Sequence, residues 1–269
     1  MLRALLPISA LIILVGTVTQ GRAEDDPWPD IRAAVFEDRP IGENSSAVVL
    51  YAPEHAEDAA LVPLAVHMPP HVANAARKLT LIIDRNPAPV AATFHFGDGF
   101  DAPPSLGERK LMTRVRVDSF SKVRAILETQ DGSLHMATKF VMGAGGCSAP
   151  ASKDADEALA MLGKVQVKLI SDASRGENWR EGVVMIRHPN FTGLQMDPIS
   201  RGYTPARYVD NLEITRAGRA MLRMEGGISI SEDPNIRFNF DAGDGEAIEV
   251  RATDSDGAKF VGKSLRDGS

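Results

Sequence analysis

The feature that most restricts the fold of this sequence is a series of short segments in which apolar and polar residues alternate. Residues 110–118 divide into two faces: Leu111, Thr113, Val115 and Val117 against Met112, Arg114, Arg116 and Asp118. Side chains along a strand point to opposite faces in turn, so this alternation predicts a strand with one face in a core. Similar segments recur at short intervals with turn signals such as Asp131-Gly132 between them, which indicates an antiparallel sandwich.

The strand candidates form two sets. The first set covers residues 47–51, 60–67, 79–83, 90–96, 110–118, 122–128 and 133–141. The second covers residues 165–169, 182–186, 208–214, 219–223, 236–240, 247–253 and 259–264. The sequence therefore predicts an all-β fold of two immunoglobulin-like antiparallel β-sandwich domains joined by a Gly-rich arm and a short helix. The residues expected to face the cores are Leu111, Val115, Val117, Val165, Val167, Ile248 and Val250.

The beginning of the chain is typical of a secretory signal. Arg3 precedes an apolar run over residues 4–15, and Gly21-Arg22-Ala23 stands before an acidic stretch. The run is shorter than the roughly 20 residues that span a bilayer, so we expect cleavage, a periplasmic protein and no membrane span in the mature chain. The predicted organisation is a signal peptide (1–23), a first sandwich (24–142), an arm with a linker helix (143–163) and a second sandwich (164–269). A helix is also expected over residues 31–36, docked by Trp28.

Charge and cysteine content narrow the possible functions. The formal net charge is -6, and the 30 basic and 36 acidic residues are mixed along the chain. No basic stripe is present, which argues against a nucleic-acid partner. Cys147 is the single cysteine, so an intrachain disulfide is impossible, although exported proteins usually pair their cysteines.

Cys147 follows a glycine-rich stretch that contains Gly143, Gly145 and Gly146. Glycine has no Cβ and leaves the backbone many conformations, so we expect a swinging arm that presents the thiol instead of packing it. The alternative is that the glycines only link domains and that the cysteine is a small buried hydrophobic residue. No Lys or Arg lies within four residues before Cys147, and none follows it before Lys153. Activation of the thiol is therefore expected to come from a partner.

Three other patterns carry no function in this interpretation. Residues 257–264 match the phosphate-loop pattern, but we expect residues 258–261 to form a strand and no helix to follow, since only residues 265–269 remain. The acidic residues of 97–101 and 241–246 lack the ligand order of a calcium loop and indicate solvated turns. His67 and His71 flank two prolines, a weak pattern for a metal site. We expect no metal, no cofactor and no enzymatic activity, since no acid-base or nucleophile constellation is present.

With the arm placed between two sandwiches, the chain resembles a fusion of the two subunits of the SoxYZ sulfur carrier, and more closely the quinoprotein dehydrogenase-associated SoxYZ-like carrier family. In the first half the resemblance rests on Trp28, residues 52–63, 84–91 and 93–96, Asp131-Gly132-Ser133 and Gly145-Gly146-Cys147. In the second half it rests on residues 188–193, Tyr208-Val209 and residues 254–257.

The resemblance implies a covalent carrier. SoxY carries sulfur intermediates on a cysteine within Gly-Gly-Cys-Gly-Gly at its free C terminus, so Cys147 would be the attachment residue and the preceding glycines the swinging arm. Two departures are present, because Ser148-Ala149 replace the trailing glycines and the arm continues into a second domain. Implied partners are periplasmic enzymes of sulfur oxidation or a quinoprotein dehydrogenase. The alternative is a non-covalent accessory module of a periplasmic quinoprotein dehydrogenase system, with the cysteine incidental.

Overall fold

The structure is a computed structural model. It describes residues 26–43, 46–100, 107–150, 159–171, 179–197, 200–242 and 247–264. The predicted signal peptide and most of the predicted linker helix lie outside the described residues. At the end of that linker, residues 159–160 are helical, and the amide of Leu162 donates to the carbonyl of Leu159.

Two helices and fifteen strands make up the regular structure of the described residues. The helices are α1 (Trp28–Phe36) and α2 (Pro70–Ala73), and Asp98–Phe100 forms a 3₁₀ turn. The strands are β1 (Ile41–Glu43), β2 (Val49–Tyr51), β3 (Val62–Met68), β4 (Ala76–Ile83), β5 (Val90–Phe96), β6 (Arg109–Val115), β7 (Ser121–Thr129), β8 (Leu134–Val141), β9 (Val165–Ser171), β10 (Trp179–Ile186), β11 (Val209–Arg216), β12 (Arg219–Gly226), β13 (Asn235–Asp241), β14 (Ile248–Asp254) and β15 (Lys259–Lys263).

The strand predictions are confirmed, since every predicted segment overlaps an observed strand and β5 has the predicted bounds. The predicted helix at residues 31–36 is also present as the greater part of α1. Two elements were not predicted. β1 is three residues long and pairs in parallel with β8, and α2 is a single turn. Such short elements carry no periodicity of their own.

The strands form two sheets that both run through the two halves of the chain. The nine-stranded sheet has the order β1-β8-β7-β4-β5-β12-β11-β14-β15, and the six-stranded sheet has the order β2-β3-β6-β13-β10-β9. Each half contributes strands to both sheets, so the protein is all-β with two immunoglobulin-like sandwiches. The sandwiches join edge to edge, because β5 pairs with β12 and β6 with β13. This pairing satisfies backbone groups that an edge strand would leave open.

One hydrophobic core extends through both halves. The predicted core positions Leu111, Val115, Val117, Ile248 and Val250 are at most 1% exposed, which confirms them. Val165 and Val167 are partly buried and pack against the same core. A second cluster lies under α1, where Trp28 and Phe36 pack against residues of β4, β7 and β8.

The patterns set aside in the sequence are explained by this fold. Lys259–Lys263 is a strand, which confirms the expectation that the phosphate-loop match lies on β structure. Asp98 lies in the 3₁₀ turn and Asp241 ends β13, while the remaining acidic residues of those two segments lie outside the described residues. In the part of the chain that the structure describes, no helix is sufficiently long and apolar to cross a membrane.

Candidate functional site: the docked cysteine arm

The arm, residues 143–150, leaves β8 and runs along the chain that follows β6. Before it, the Met142 amide donates to the Glu54 carbonyl at 2.8 Å. Within it, the Gly145 amide donates to the Asp118 carbonyl at 2.8 Å and the Gly146 amide to the Val117 carbonyl at 3.1 Å. The arm therefore continues the hydrogen bonding of the sheet instead of projecting from it.

Cys147 is buried, with none of its surface exposed. Its amide donates to Asp118 Oδ1 at 3.1 Å, and the carbonyl of Gly146 accepts from Arg116 Nη1 at 3.1 Å. The expectation that the glycine-rich stretch presents the thiol is wrong for this conformation. The groups that hold the arm are about thirty residues away in the sequence, and the local glycine pattern contains no sign of them.

Close packing excludes a side chain at Gly146 and leaves little room for one at Gly143. A Cβ on Gly146 would lie 2.1 Å from the Ala59 carbonyl oxygen and 2.7 Å from that of Val117. A Cβ on Gly143 would lie 3.2 Å from Cβ of Ala56. Gly145 has φ +74°, in the left-handed region that favours glycine. Lack of a side chain at Gly143 and Gly146 thus permits close seating, which corrects the prediction that these glycines leave the arm unrestricted.

The second half of the chain also holds the arm. The Thr192 hydroxyl donates to the Cys147 carbonyl at 2.6 Å, and Gln195 Nε2 donates to the Ala149 carbonyl at 3.1 Å. Both side chains are 3% exposed. They bind the arm at the thiol residue and just after it, where the chain leads into the second half.

Asn190, which is fully buried, fixes the segment that carries Thr192. Its Nδ2 donates to the Ser231 carbonyl at 3.1 Å, and its Oδ1 accepts from the Val209 amide at 3.1 Å. The Asn190 amide donates to His188 Nδ1 at 3.0 Å. That bond places the proton of a neutral imidazole on Nε2, which lies 3.3 Å from Asp254 Oδ2.

Burial lowers the pKa of His188, more than Asp254 raises it, so the imidazole is neutral around pH 7. The motif at residues 188–193, which carried the resemblance in the second half, thus acts as a scaffold. It holds a loop against the arm.

Arg116 joins the two halves beneath the arm. It is 1% exposed, and its guanidinium donates to the carbonyls of Gly146 and Asn190. Within the described residues these acceptors are carbonyls and not a carboxylate, and Nε has no partner. Burial lowers the pKa of Arg116, against the opposing negative charges of Glu232 and Asp58.

Sequence reasoning missed Arg116, because the alternation of residues 110–118 assigned it to the polar face. β6 ends at Val115, so strand alternation no longer determines the direction of the next side chain. Asn86, within the segment 84–91, secures this stretch, since its Nδ2 donates to the Arg116 carbonyl at 2.7 Å and its Oδ1 accepts from the Asp118 amide at 2.9 Å.

Burial keeps the docked thiol covered and protonated. Burial raises the pKa of Cys147 to about 12, and the Asp118 carboxylate adds to this, while the Arg116 guanidinium opposes it. At pH 7 the docked thiol is therefore almost entirely protonated. Since the thiolate is the nucleophile and the sulfur is covered, reaction at Cys147 requires the arm to leave this position.

The other candidate groups lie elsewhere. His67 Nδ1 is 3.2 Å from Glu108 Oε2, and its ring lies 4.6 Å from that of Tyr51, while His71 is on α2. Across the described ranges, no group of three or more His, Cys, Asp or Glu side chains could hold a metal ion. A groove of about 500 Å³ lies on the outer face of the six-stranded sheet, and no arm residue lines it.

Comparison with known proteins identifies both halves. The family described as "Sulfur oxidation protein SoxY" matches residues 32–147, and the family described as "Sulphur oxidation protein SoxZ" matches residues 167–264. The chain therefore contains a SoxY-family domain followed by a SoxZ-family domain. The SoxY match ends at Cys147, and the SoxZ match contains Thr192 and Gln195, so SoxZ residues hold the cysteine that ends the SoxY match.

Solved structures include similar chains. The structure of the sulfur carrier protein SoxY from Chlorobium limicola f thiosulfatophilum aligns over 44% of this chain and 91% of its own, with 27% identity and a TM-score of 0.32. A β-glycosidase from Bacteroides vulgatus aligns over 86% of this chain and 25% of its own, with 7% identity and a TM-score of 0.25. A search of curated proteins finds no match.

Proposed function

We propose that the protein is a non-enzymatic periplasmic carrier of sulfur oxidation, which binds sulfur-containing intermediates covalently on Cys147. The fusion of a SoxY domain to a SoxZ domain supports a carrier role in sulfur oxidation. The observation that carries the assignment to one residue is positional: Cys147 is the single cysteine, follows Gly145-Gly146 and is the last residue of the SoxY match.

The docked conformation determines how such a carrier would work. With its thiol buried, the protein at rest protects Cys147 from adventitious oxidation or alkylation, because these reactions need an exposed thiolate. The sulfur-containing group is loaded onto Cys147 when the arm is released, because the thiol of the released arm regains an ordinary pKa of about 8.5. The partners are enzymes of sulfur oxidation, which act on the bound group. A quinoprotein dehydrogenase remains the alternative partner, proposed from the resemblance alone.

The carrier proposal is tested by the intact mass of full-length protein purified from its own host during growth on a reduced sulfur compound. We expect a mass adduct that maps to Cys147, is removed by a reductant and is absent from Cys147→Ser. Thr138→Ser, a conservative substitution on β8, serves as the handling control. Unmodified protein in every sample, together with growth on sulfur that is unaffected by Cys147→Ser, would exclude the carrier.

The burial of Cys147 favours a second candidate, an accessory binding module in which the cysteine is structural. This module would dock on a dehydrogenase system without covalent chemistry. The two functions differ in one outcome: a module retains its cellular function in Cys147→Ser, whereas a carrier loses it completely.

A further inference from the structure

We propose that Thr192 and Gln195 are positioning residues of the SoxZ domain that hold the arm closed and so control the exposure of Cys147. These two residues are called the latch below. The inference goes beyond the carrier role, because it concerns the accessibility of the thiol whether or not sulfur is carried on it.

The contacts of the arm divide between the two domains at the cysteine itself. On the side before the thiol, the arm is held by the SoxY domain through Asp118 and Arg116. From the Cys147 carbonyl onward, the latch provides the contacts from the SoxZ domain, with bonds of 2.6 Å to Cys147 and 3.1 Å to Ala149. Release of the thiol therefore requires the latch bonds to break.

The latch side chains are already oriented by bonds within their own loop. The Thr192 hydroxyl accepts from the Leu194 amide at 3.1 Å, and Gln195 Oε1 accepts from the Thr192 amide at 3.0 Å. Because the hydroxyl and the amide are fixed in this way, little conformational freedom is lost when they bind the arm. Between and beside them, Leu194 and Met196 point outward, at 37% and 53% exposed.

The test is the rate at which iodoacetamide alkylates Cys147 in the full chain under native conditions, followed by intact mass. Thr192→Val removes the hydroxyl at similar volume, and Gln195→Met removes the amide. Each variant loses one hydrogen bond to the arm and one within the loop. Loss of the bond to the arm, at ordinary strength, should raise the fraction of open arm, and therefore the alkylation rate, about two- to tenfold. The rate of unfolded protein in denaturant gives the upper limit.

Three controls separate a latch from general destabilisation. Thr192→Ser keeps the hydroxyl and should restore the slow wild-type rate. Met196→Ala changes an exposed residue of the same loop and should also react slowly. Amide hydrogen exchange of β4 and β7, remote from the loop, should be equal in all variants. Faster exchange there would attribute the alkylation to global unfolding and overturn the proposal.

The proposal is also overturned if both latch variants react at the rate of Met196→Ala, or if wild type already reacts as fast as unfolded protein. If one variant fails to fold, the other decides, since each removes a separate bond to the arm. Failure of the carrier proposal would be seen separately, as the absence of any adduct on host-purified protein with the latch intact.

Discussion

Gly146→Ala provides the most direct test of the docked arm. The added Cβ would lie 2.1 Å from the Ala59 carbonyl oxygen, well inside van der Waals contact. That oxygen cannot move freely, because it accepts from the Val117 amide at 2.7 Å. The Val117 carbonyl, 2.7 Å from the same Cβ, accepts from the amide of residue 146 itself. Hence the substitution cannot be accommodated without a backbone shift.

The cost of such overpacking is about 1–3 kcal/mol. If the arm yields before the rest of the sandwich, the whole cost falls on docking. Since each 1.4 kcal/mol is a factor of ten, the open fraction should rise about 5- to 150-fold. The thiol of Cys147 reports this directly, because it is covered only while the arm is docked.

The assay combines the alkylation rate of Cys147 with denaturant unfolding followed by circular dichroism. Gly257→Ala is the control for general destabilisation, since Gly257, unlike Gly146, has a positive φ that alanine rarely adopts, and nothing lies within 4 Å of the added Cβ. We expect fast alkylation only in Gly146→Ala. Equal alkylation rates in the two variants and wild type would refute the seating of Gly146 against Ala59.

Three further outcomes are expected. The docked pKa of Cys147 is about 12 and the unfolded value about 8.5, so the stability that the docked, protonated thiol contributes is complete below pH 8.5 and is lost as the pH rises toward 12. The alkylation rate should therefore keep rising above pH 8.5, whereas the rate of an exposed thiol would reach a plateau there. Asp84→Asn should lower the free energy of unfolding by about 3–5 kcal/mol in denaturant titrations, because it leaves Arg124, buried and bonded to Asp84 at 2.8 Å, without its carboxylate. A loss below 1 kcal/mol would contradict this account of the pair. Lys263→Ala should change the free energy of unfolding by no more than about 0.5 kcal/mol, since the ion pair of Lys263 is exposed. Saturable nucleotide binding that disappears in this variant would show that the phosphate-loop match is functional.

The secondary structure could be predicted because alternation is a local property. Leu111 and Val115 share a face of β6 for reasons present in their own segment, and burial follows once any second sheet covers that face. Arg116, the next residue after β6, could not be predicted in this way. Its burial depends on carbonyls of Gly146 and Asn190, which come from separate parts of the chain.

The arm shows more strongly the same division between what a local pattern predicts and what distant contacts decide. Its cysteine, its glycines and its place between two sandwiches are local facts that the sequence alone determines, together with the resemblance that points to a carrier. Whether the thiol is presented or covered was decided by tertiary structure, because the Thr192 hydroxyl that closes on Cys147 lies 45 residues further along the chain. Glycine is compatible with both outcomes, since the missing Cβ that frees a chain in solution also lets it pack directly against another backbone.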